Sequence, residues 1–270
     1  MNVENKIAVI TGGAGGIGSA LCRALSARGS KVVISDMNFE AAQALASEID
    51  GLAVRCDVSK ESEIQDLVKV TEQAFGQIDI FCSNAGFGRG EPSHAASASD
   101  KAWQLQWDVH VMAHVWAARA LLPSMIERGD GYLLNVASAA GLLNQIGDAA
   151  YSATKHAAVS LAESLAINHN DDGVKVSVIC PQYVNTDILM ISKEQRKAEL
   201  PGVISADQCA RAIVDGIDRE TFMILTHPEV AEYYKKRAAA PGAWIDGMKR
   251  YRKSLLDDNG KVDLTKIFGF

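Results

Sequence analysis

The chain has 270 residues, of which 48% are hydrophobic and 22% are charged, and its formal net charge is −6. This composition supplies enough apolar side chains for one large packed domain. The negative net charge provides no basic surface for nucleic acid or anionic lipid, and no apolar run approaches the roughly 20 residues of a membrane span. We therefore expect a globular protein whose partners are neither nucleic acid nor membrane.

Short apolar runs alternate with longer helical patterns from the N-terminus to about residue 226. Strands are predicted at 6–10, 31–35, 52–55, 78–82, 132–137 and 174–180, and helices at about 16–28, 39–49, 61–75, around 107–116 and at 150–168. Apolar strands that alternate with helices indicate parallel strands covered on both faces. The sequence therefore predicts an α/β fold with a doubly wound parallel sheet in a single domain. Its core spans about 5–226, with a helical C-terminal extension at 227–270.

Ligands of such sheets bind beyond the carboxyl ends of the strands, so the residues that follow each strand matter most. The first strand is followed by TGGAGGIG at 11–18. Gly12, Gly16 and Gly18 would let the backbone approach a pyrophosphate, which the amides of the next helix bind. A plain tight turn would also use glycine, but the position between a strand and a helix favours a dinucleotide.

Acidic residues follow the second and third strands. Asp36 is placed to accept both adenine-ribose hydroxyls of NAD and to repel the 2′-phosphate of NADP, and Met37 offers no cation to a phosphate. Asp57 would accept a hydrogen bond from the adenine amino group. An aspartate beside a helix or in a turn is the alternative interpretation of both residues. The pattern predicts NAD as the cofactor.

The later strands are followed by residues whose side chains can take part in a reaction. Asn84-Ala85-Gly86 comes after the fourth strand and Ser138 after the fifth. Tyr151 and Lys155 share one face of a helix, one turn apart. A surface Tyr–Lys pair would be unremarkable, but this pair lies directly after a strand and a serine.

The motifs run in the order Thr11-Gly12-x-x-x-Gly16-x-Gly18, Asn84-Ala85-Gly86, Ser138, Tyr151-x-x-x-Lys155 and Pro181. In this order and spacing, over roughly residues 5–190, the sequence resembles the short-chain dehydrogenase/reductase family. The resemblance implies a seven-stranded sheet with its last strand at 221–226, a homotetramer or dimer, and catalysis without a metal. It implies Tyr151 as acid/base, Lys155 as its activator and Ser138 as the hydroxyl that orients the substrate. The implied cofactor contacts are Gly12, Gly16, Ile17, Gly18, Asp36, Asp57, Val58, Asn84, Gly86, Tyr151, Lys155 and Thr186.

Two positions depart from the family pattern. Gln182 replaces the glycine of the family's Pro-Gly pair, which puts a polar side chain near the pocket. His110 replaces a catalytic asparagine, and His114 follows it one helical turn later. We expect His110 to position the water that the family's asparagine holds, or to carry the proton itself, with a packing role as the alternative. His114 is assigned to packing or assembly. A zinc site on the two histidines would lack a convincing third ligand.

The favoured function is an NAD-dependent dehydrogenase that interconverts a secondary alcohol and a ketone. A lysine ammonium about 5 Å away would lower the pKa of Tyr151 from about 10 to between about 7 and 8. The apolar stretches 139–147 and 183–191 favour a hydrophobic substrate (steroid-like, terpenoid or aromatic), unless they only pack the loops. A non-catalytic NAD-sensing or scaffold protein is the alternative, although it would have no reason to keep Ser138, Tyr151 and Lys155.

The cysteines are scattered, and no two of them form a CxxC pair. They are Cys22, Cys56, Cys82, Cys180 and Cys209. Most lie in apolar segments, where a thiol behaves as a small hydrophobic group. Since the N-terminus also lacks the long apolar core of a signal peptide, we predict reduced thiols in a cytoplasmic protein.

Overall fold

A computed structural model of the chain describes residues 1–91, 93–189 and 191–269. The strands are β1 Ile7–Thr11, β2 Lys31–Asp36, β3 Leu52–Arg55, β4 Ile80–Ser83, β5 Gly131–Val136, β6 Val174–Ile179, β7 Tyr183–Val184, β8 Val203–Ile204 and β9 Met223–Ile224. The main sheet has seven strands in the order β3-β2-β1-β4-β5-β6-β9, and every pair in it is parallel. The predicted doubly wound sheet is confirmed, including a last strand within 221–226.

Helices cover both faces of this sheet. They are α1 Gly16–Ser26, α2 Phe39–Ile49, α3 Glu61–Phe75, α4 Asp100–Trp107, α5 Ala113–Arg128, α6 Ala140–Leu143, α7 Ala149–His169, α8 Ala206–Asp218, α9 Glu229–Ala239 and α10 Pro241–Ser254. A π-helical turn at Asp108–Met112 joins α4 to α5, so the predicted helix around 107–116 is locally wider than an α-helix. No helix of the described residues is long and apolar enough to cross a membrane.

The strands are apolar along their whole length because both sides of the sheet are covered. In β1 every residue is buried. Val9 and Leu133 point to the layer that contains α3, α5 and α7, whereas Ile10 and Leu134 point to the layer of α1, α2 and α8. This alternation of buried faces explains why the strand sequences show no polar side.

The site of ligand binding follows from the strand order. Strand β1 pairs with β2 on one side and with β4 on the other. The chain therefore leaves the two neighbours β1 and β4 in opposite directions, and a crevice opens between the loops that follow them. The loops at 12–15 and 84–87 border this crevice.

The C-terminal extension packs near the segment that follows β6. Helices α9 and α10 are followed by a bridge between Leu256 and Val262 and by a 3₁₀ turn at Leu264–Phe268. Phe268 packs with Leu189 and Leu200 in a small apolar cluster over the short β7–β8 sheet. The extension is thus attached to the segment that follows β6.

Candidate active site

A cleft of about 490 Å³ lies at the carboxyl ends of the strands. Its lining includes every predicted cofactor contact: Gly12, Gly16, Ile17, Gly18, Asp36, Asp57, Val58, Asn84, Gly86, Tyr151, Lys155 and Thr186. Ser138 lines it as well, whereas His110 does not. The fold therefore gathers residues that are far apart in the sequence into one cavity.

The glycine-rich loop is tightly packed at the start of α1. Gly12 has a φ of +61°, and a Cβ on Gly18 would lie 2.1 Å from the carbonyl oxygen of Gly12, so both positions require glycine. The side-chain amide of Asn84 donates to the carbonyl oxygens of Thr11 (2.8 Å) and Gly12 (3.2 Å). Asn84 therefore fixes the loop from the neighbouring strand. No side chain caps the first amides of α1, which leaves them available to a phosphate.

The carboxylate of Asp36 accepts backbone hydrogen bonds from Ala14 (3.0 Å) and Asn38 (2.9 Å). These bonds hold it at the end of β2, with lone pairs left for further donors such as ribose hydroxyls. The following residue, Met37, is 61% exposed. Lys155 is the only lysine or arginine among the described residues that line the cleft. Arg55 is in register with Asp36 on the neighbouring strand β3, but it forms an ion pair with Glu63.

The acidic residue that follows β3, Asp57, is engaged by its own turn. Asp57 Oδ1 accepts from the backbone N–H (3.1 Å) and hydroxyl (2.7 Å) of Ser59, and Lys60 Nζ lies 3.3 Å from Oδ2. Asp57 and Val58 still line the cleft. An adenine contact by Asp57 stays a prediction.

Ser138, Tyr151 and Lys155 all line the cleft. Ser138 Oγ accepts from the backbone N–H of Ala140 (3.0 Å) and donates to the Pro181 carbonyl (3.3 Å). Lys155 Nζ donates to the Val136 carbonyl (2.9 Å) and lies 5.6 Å from the centroid of the Tyr151 ring. Strand β5 and helix α7 thus bring a hydroxyl, a phenol and an ammonium together.

The acidity of these groups differs from the sequence-based expectation. Burial raises the pKa of Tyr151 to about 12, against a smaller lowering effect of Ser138. Burial also lowers the pKa of Lys155 to about 8. The expected pKa of about 7 to 8 for Tyr151 is wrong for the protein by itself, because a Coulomb attraction alone omits the cost of desolvating the phenolate.

His110 is fully buried, and both of its ring nitrogens have protein partners. Nε2 accepts from the backbone N–H of Phe87 (3.2 Å), so the proton resides on Nδ1, which lies 3.0 Å from Thr154 Oγ1. The Thr154 hydroxyl in turn donates to backbone carbonyls in the first turn of α7. Burial holds the pKa of His110 well below its usual range. The residue is a neutral hydrogen-bonding link.

This geometry favours the packing alternative for His110. The predicted relay requires a ring nitrogen that is free to hold a water, and neither nitrogen is free. His110 instead joins the loop after β4 to α7, and its ring stands edge-on to Tyr151 with centroids 5.5 Å apart. His114 bonds through Nδ1 to Asn135 Oδ1 (2.8 Å) inside the core, which fits the predicted packing role. Among the described residues, no three His, Cys, Asp or Glu side chains are grouped to hold a metal.

Asp148 is a site residue that the sequence analysis missed. Its Oδ1 accepts from the backbone N–H of Tyr151 (3.1 Å), which caps α7. Its Oδ2 accepts from the backbone N–H groups of Arg89 (2.9 Å) and Gly90 (2.8 Å). An aspartate three residues before the tyrosine is a helix-cap signal in the sequence, but its second pair of partners is not.

His227 is a second missed residue. Its ring accepts through Nδ1 from the backbone N–H of Gln182 (3.3 Å) and contacts the Tyr183 carbonyl through Nε2 (3.1 Å). These contacts hold the backbone of the segment that begins with Pro181-Gln182. No sequence signal indicated this, because His227 lies far along the chain and just outside the predicted core.

The lining of the cleft also contains apolar residues, which are Phe87, Leu105, Val109, Val184 and Ile188. Of the stretches expected to border the pocket, 183–191 contributes as predicted, except that Met190 lies outside the described residues. The stretch 139–147 supplies no lining residue among the described ones. It forms α6, which packs so closely on α7 that a Cβ on Gly141 would lie 2.6 Å from the Lys155 carbonyl oxygen.

A parallel sheet with a glycine-lined crevice at its switch point defines the class of Rossmann-type dinucleotide-binding proteins. A family model for short chain dehydrogenases matches residues 6–197. The chain is 31% identical over 235 residues to 1-deoxy-11-beta-hydroxypentalenate dehydrogenase of Streptomyces avermitilis, covering 85% of this chain and 87% of that protein. The chain belongs to the short-chain dehydrogenase/reductase family of oxidoreductases.

Solved structures agree with this assignment. A short-chain dehydrogenase/reductase from Burkholderia phymatum in complex with NAD superposes with a TM-score of 0.81 at 28% identity, covering 90% of this chain and 96% of that one. A 3-ketoacyl-(acyl-carrier-protein) reductase from Brucella melitensis complexed with NADH gives a TM-score of 0.75 at 28% identity, covering 83% and 96%.

Proposed function

We propose that the protein is an NAD-dependent oxidoreductase that interconverts a hydrophobic secondary alcohol and its ketone, with Tyr151 as the acid/base. The observation that carries the proposal is the convergence of Ser138, Tyr151 and Lys155 in the same cleft as the glycine-rich loop. Such a convergence of a titratable acid, a cation and an orienting hydroxyl indicates catalysis rather than storage of a ligand.

Each residue has a defined task in this chemistry. Bound NAD would supply the acceptor for the hydride. In its phenolate form Tyr151 accepts the hydroxyl proton of the alcohol and becomes the phenol, and Ser138 orients the substrate oxygen. Lys155, whose pKa burial lowers to about 8, remains largely protonated at neutral pH and favours the phenolate by its charge. Reduction of a ketone uses the same groups in reverse.

NAD is proposed over NADP because of Asp36. Its carboxylate is fixed by two backbone N–H groups at the end of β2 and would face the ribose hydroxyls. A 2′-phosphate there would meet this negative charge, with no lysine or arginine among the described lining residues nearby. Structural relatives that bind NAD and NADH support the same choice.

A terpenoid-like substrate is proposed on two grounds. The cleft lining includes Phe87, Leu105, Val109 and Ile188, which favour an apolar skeleton. A relative that covers 85% of the chain carries the name of a hydroxypentalenate dehydrogenase. A polar sugar would leave its hydroxyls unpaired against such a surface.

The test is NADH formation from a panel of cyclic secondary alcohols such as borneol, menthol and cyclohexanol, run in parallel with NADP. We expect a strong preference for NAD, which Asp36→Ala should relax. Tyr151→Phe should lower kcat by about 100- to 10,000-fold while the Kd for NAD stays nearly unchanged. NAD binding without turnover of any alcohol would favour the alternative, a sensing or scaffold protein.

We further propose a homo-oligomer, a dimer or tetramer, in the cytoplasm. Ile126 on α5 is 37% exposed and Ile167 on α7 is 83% exposed, which favours a partner surface on these helices. All five cysteines are free and buried, as expected of a chain that stays reduced. Light scattering of the purified protein tests the oligomer, and a monomer at all concentrations would contradict it.

A further inference from the structure

The Pro181-Gln182-Tyr183 segment is held rigidly beside Ser138. The Pro181 carbonyl accepts from the Ser138 hydroxyl (3.3 Å) and from the backbone N–H of Ala139 (2.7 Å). His227 fixes the next two residues, through the Gln182 N–H (3.3 Å) and the Tyr183 carbonyl (3.1 Å). The backbone that carries the Gln182 side chain therefore has little freedom to move.

Gln182 lines the cleft together with Ser138 and Tyr151. Its amide oxygen is buried and has no hydrogen-bond partner among the described residues. A buried amide without a partner is unfavourable, and most such groups are satisfied by another group. Rotation about the last torsion exchanges the oxygen and the nitrogen, so this amide can accept or donate.

The charges around the cleft restrict the partner of this amide. The described lining contains Asp36, Asp57 and Asp187, and its only lysine or arginine is Lys155, which the proposed chemistry already uses. An anionic group on the substrate would find no second cation among these lining residues, since Arg196, which lies next to the lining, is paired with Asp187. A neutral oxygen, either a hydroxyl or a carbonyl, matches what an amide offers.

We propose that Gln182 selects substrates that carry a second, neutral oxygen function near the reacting carbon, such as a vicinal diol or a hydroxyketone. The position follows from the chain, since Gln182 is bonded directly to the residue whose carbonyl receives the Ser138 hydroxyl. This inference rests on the proposed function. It adds to an apolar pocket an uncharged polar contact that distinguishes oxygenated from plain skeletons, since a site built to hydrogen-bond a hydroxyl rejects the analogue that lacks it.

The experiment compares two terpenoid alcohols that differ by one hydroxyl, pinane-2,3-diol and isopinocampheol, each as both enantiomers with saturating NAD. We expect the ratio of kcat/KM for the diol over the mono-alcohol to exceed about 10 in the wild type and to fall about tenfold in Gln182→Leu. Gln104→Leu, the same substitution at an exposed position of α4, should keep the wild-type ratio. Melting temperature and the Kd for NAD establish that each variant is folded.

Binding of both alcohols to the enzyme–NAD complex is measured by calorimetry alongside turnover. A wild type without preference for the diol in turnover or binding overturns the role of Gln182, and so does an unchanged preference in Gln182→Leu. Turnover of isopinocampheol in either case would leave the proposed dehydrogenase function standing. Selective binding of the diol without NADH formation would support Gln182 and contradict the dehydrogenase.

Discussion

At the scale of single residues, the two histidines of the long helix show how hydrogen-bond partners define a role. His110 uses both ring nitrogens, on Phe87 and Thr154, whereas His114 uses only Nδ1, on Asn135. A spacing of four residues places both rings on one side of a helix but does not say what faces them. The sequence could therefore identify His110 as unusual, and only the packing of the 84–87 loop against α7 defines its bonds.

If His110 is a positioning residue, its removal should lower the stability and kcat without changing the pH dependence of kcat/KM. In His110→Ala the Phe87 N–H and the Thr154 hydroxyl lose a partner, which should lower the free energy of unfolding by about 1–3 kcal/mol and also reduce kcat. Because His110 stays neutral, the pH profile of kcat/KM between pH 5 and 8 should keep its shape. Urea unfolding and pH–rate profiles test this, with the exposed His94→Ala as control. A displaced profile in His110→Ala would restore the relay.

His114 should make the stability of the protein dependent on pH. Burial lowers its pKa from 6.5 to about 4. Below pH 6.5 the unfolded chain binds a proton that the folded protein does not, so the stability that His114 contributes is complete above 6.5. It is lost as the pH falls toward 4, at up to about 1.4 kcal/mol per pH unit.

Urea unfolding of wild type and His114→Gln at pH 8, 7, 6 and 5 measures this contribution. The glutamine does not titrate, so the difference in unfolding free energy between the two proteins should shrink as the pH falls below 6.5. A difference that is independent of pH would mean that His114 is not held neutral in the folded protein. His94→Gln, an exposed position, should show the wild-type dependence.

At the scale of elements, the strands and most helices follow from the sequence because their causes are local. Apolar runs such as β1 are buried on both faces, and α2 and α3 match their predicted ranges. The π-helical turn at Asp108–Met112 has no comparable local signal. The short strands β7 and β8 were missed for a related reason, since they pair only with each other across a long loop.

The residue that caps helix α7 also holds a loop. Asp148→Ala should therefore lower the unfolding free energy by more than the loss of an ordinary cap does. Asp148 is 3% exposed and accepts three backbone N–H groups, on Tyr151, Arg89 and Gly90. Its loss should lower the unfolding free energy by more than the roughly 1 kcal/mol of a typical cap and should reduce kcat, because Tyr151 lies in the affected turn.

Ser99→Ala is the matched control, because Ser99 caps α4 through the single N–H of Ala102. Unfolding curves of both variants give the two costs, and steady-state kinetics give the effect on kcat. Equal losses of unfolding free energy in the two variants, with kcat unchanged in Asp148→Ala, would show that the contacts with Arg89 and Gly90 contribute nothing to stability or turnover.

At the scale of the whole molecule, the parallel sheet explains why so much of the site was predictable. The predicted cofactor contacts that the sheet carries lie at the end of a strand or directly after it. The carboxyl ends of parallel strands share one edge of the sheet. Residues that reach the site by another route were not predictable. His227 follows the last strand but supports the turn after β6, and Phe268 arrives from the end of the chain.

The C-terminal extension should therefore be needed to keep the loop between Leu189 and Leu200 ordered. Phe268 is 5% exposed, stands edge-on to Tyr183 with ring centroids 5.2 Å apart, and packs with Leu189 and Leu200. Phe268→Ala would remove an apolar side chain worth about 3–5 kcal/mol to the packing of its surroundings. Between Leu189 and Leu200 the loop carries Lys193, Arg196 and Lys197, which are sites for trypsin.

In limited proteolysis of the whole chain, Phe268→Ala should be cut in this loop at least about tenfold faster than the wild type, since cleavage reports local opening. KM for the alcohol should rise, because Tyr183 adjoins Gln182, while the Kd for NAD should stay constant. Phe39→Ala, at a position that is 39% exposed, is the matched control and should leave the cleavage rate unchanged. Equal cleavage and equal KM in Phe268→Ala and wild type would mean that the extension only covers the surface, because a residue that supports the loop cannot be removed without exposing it.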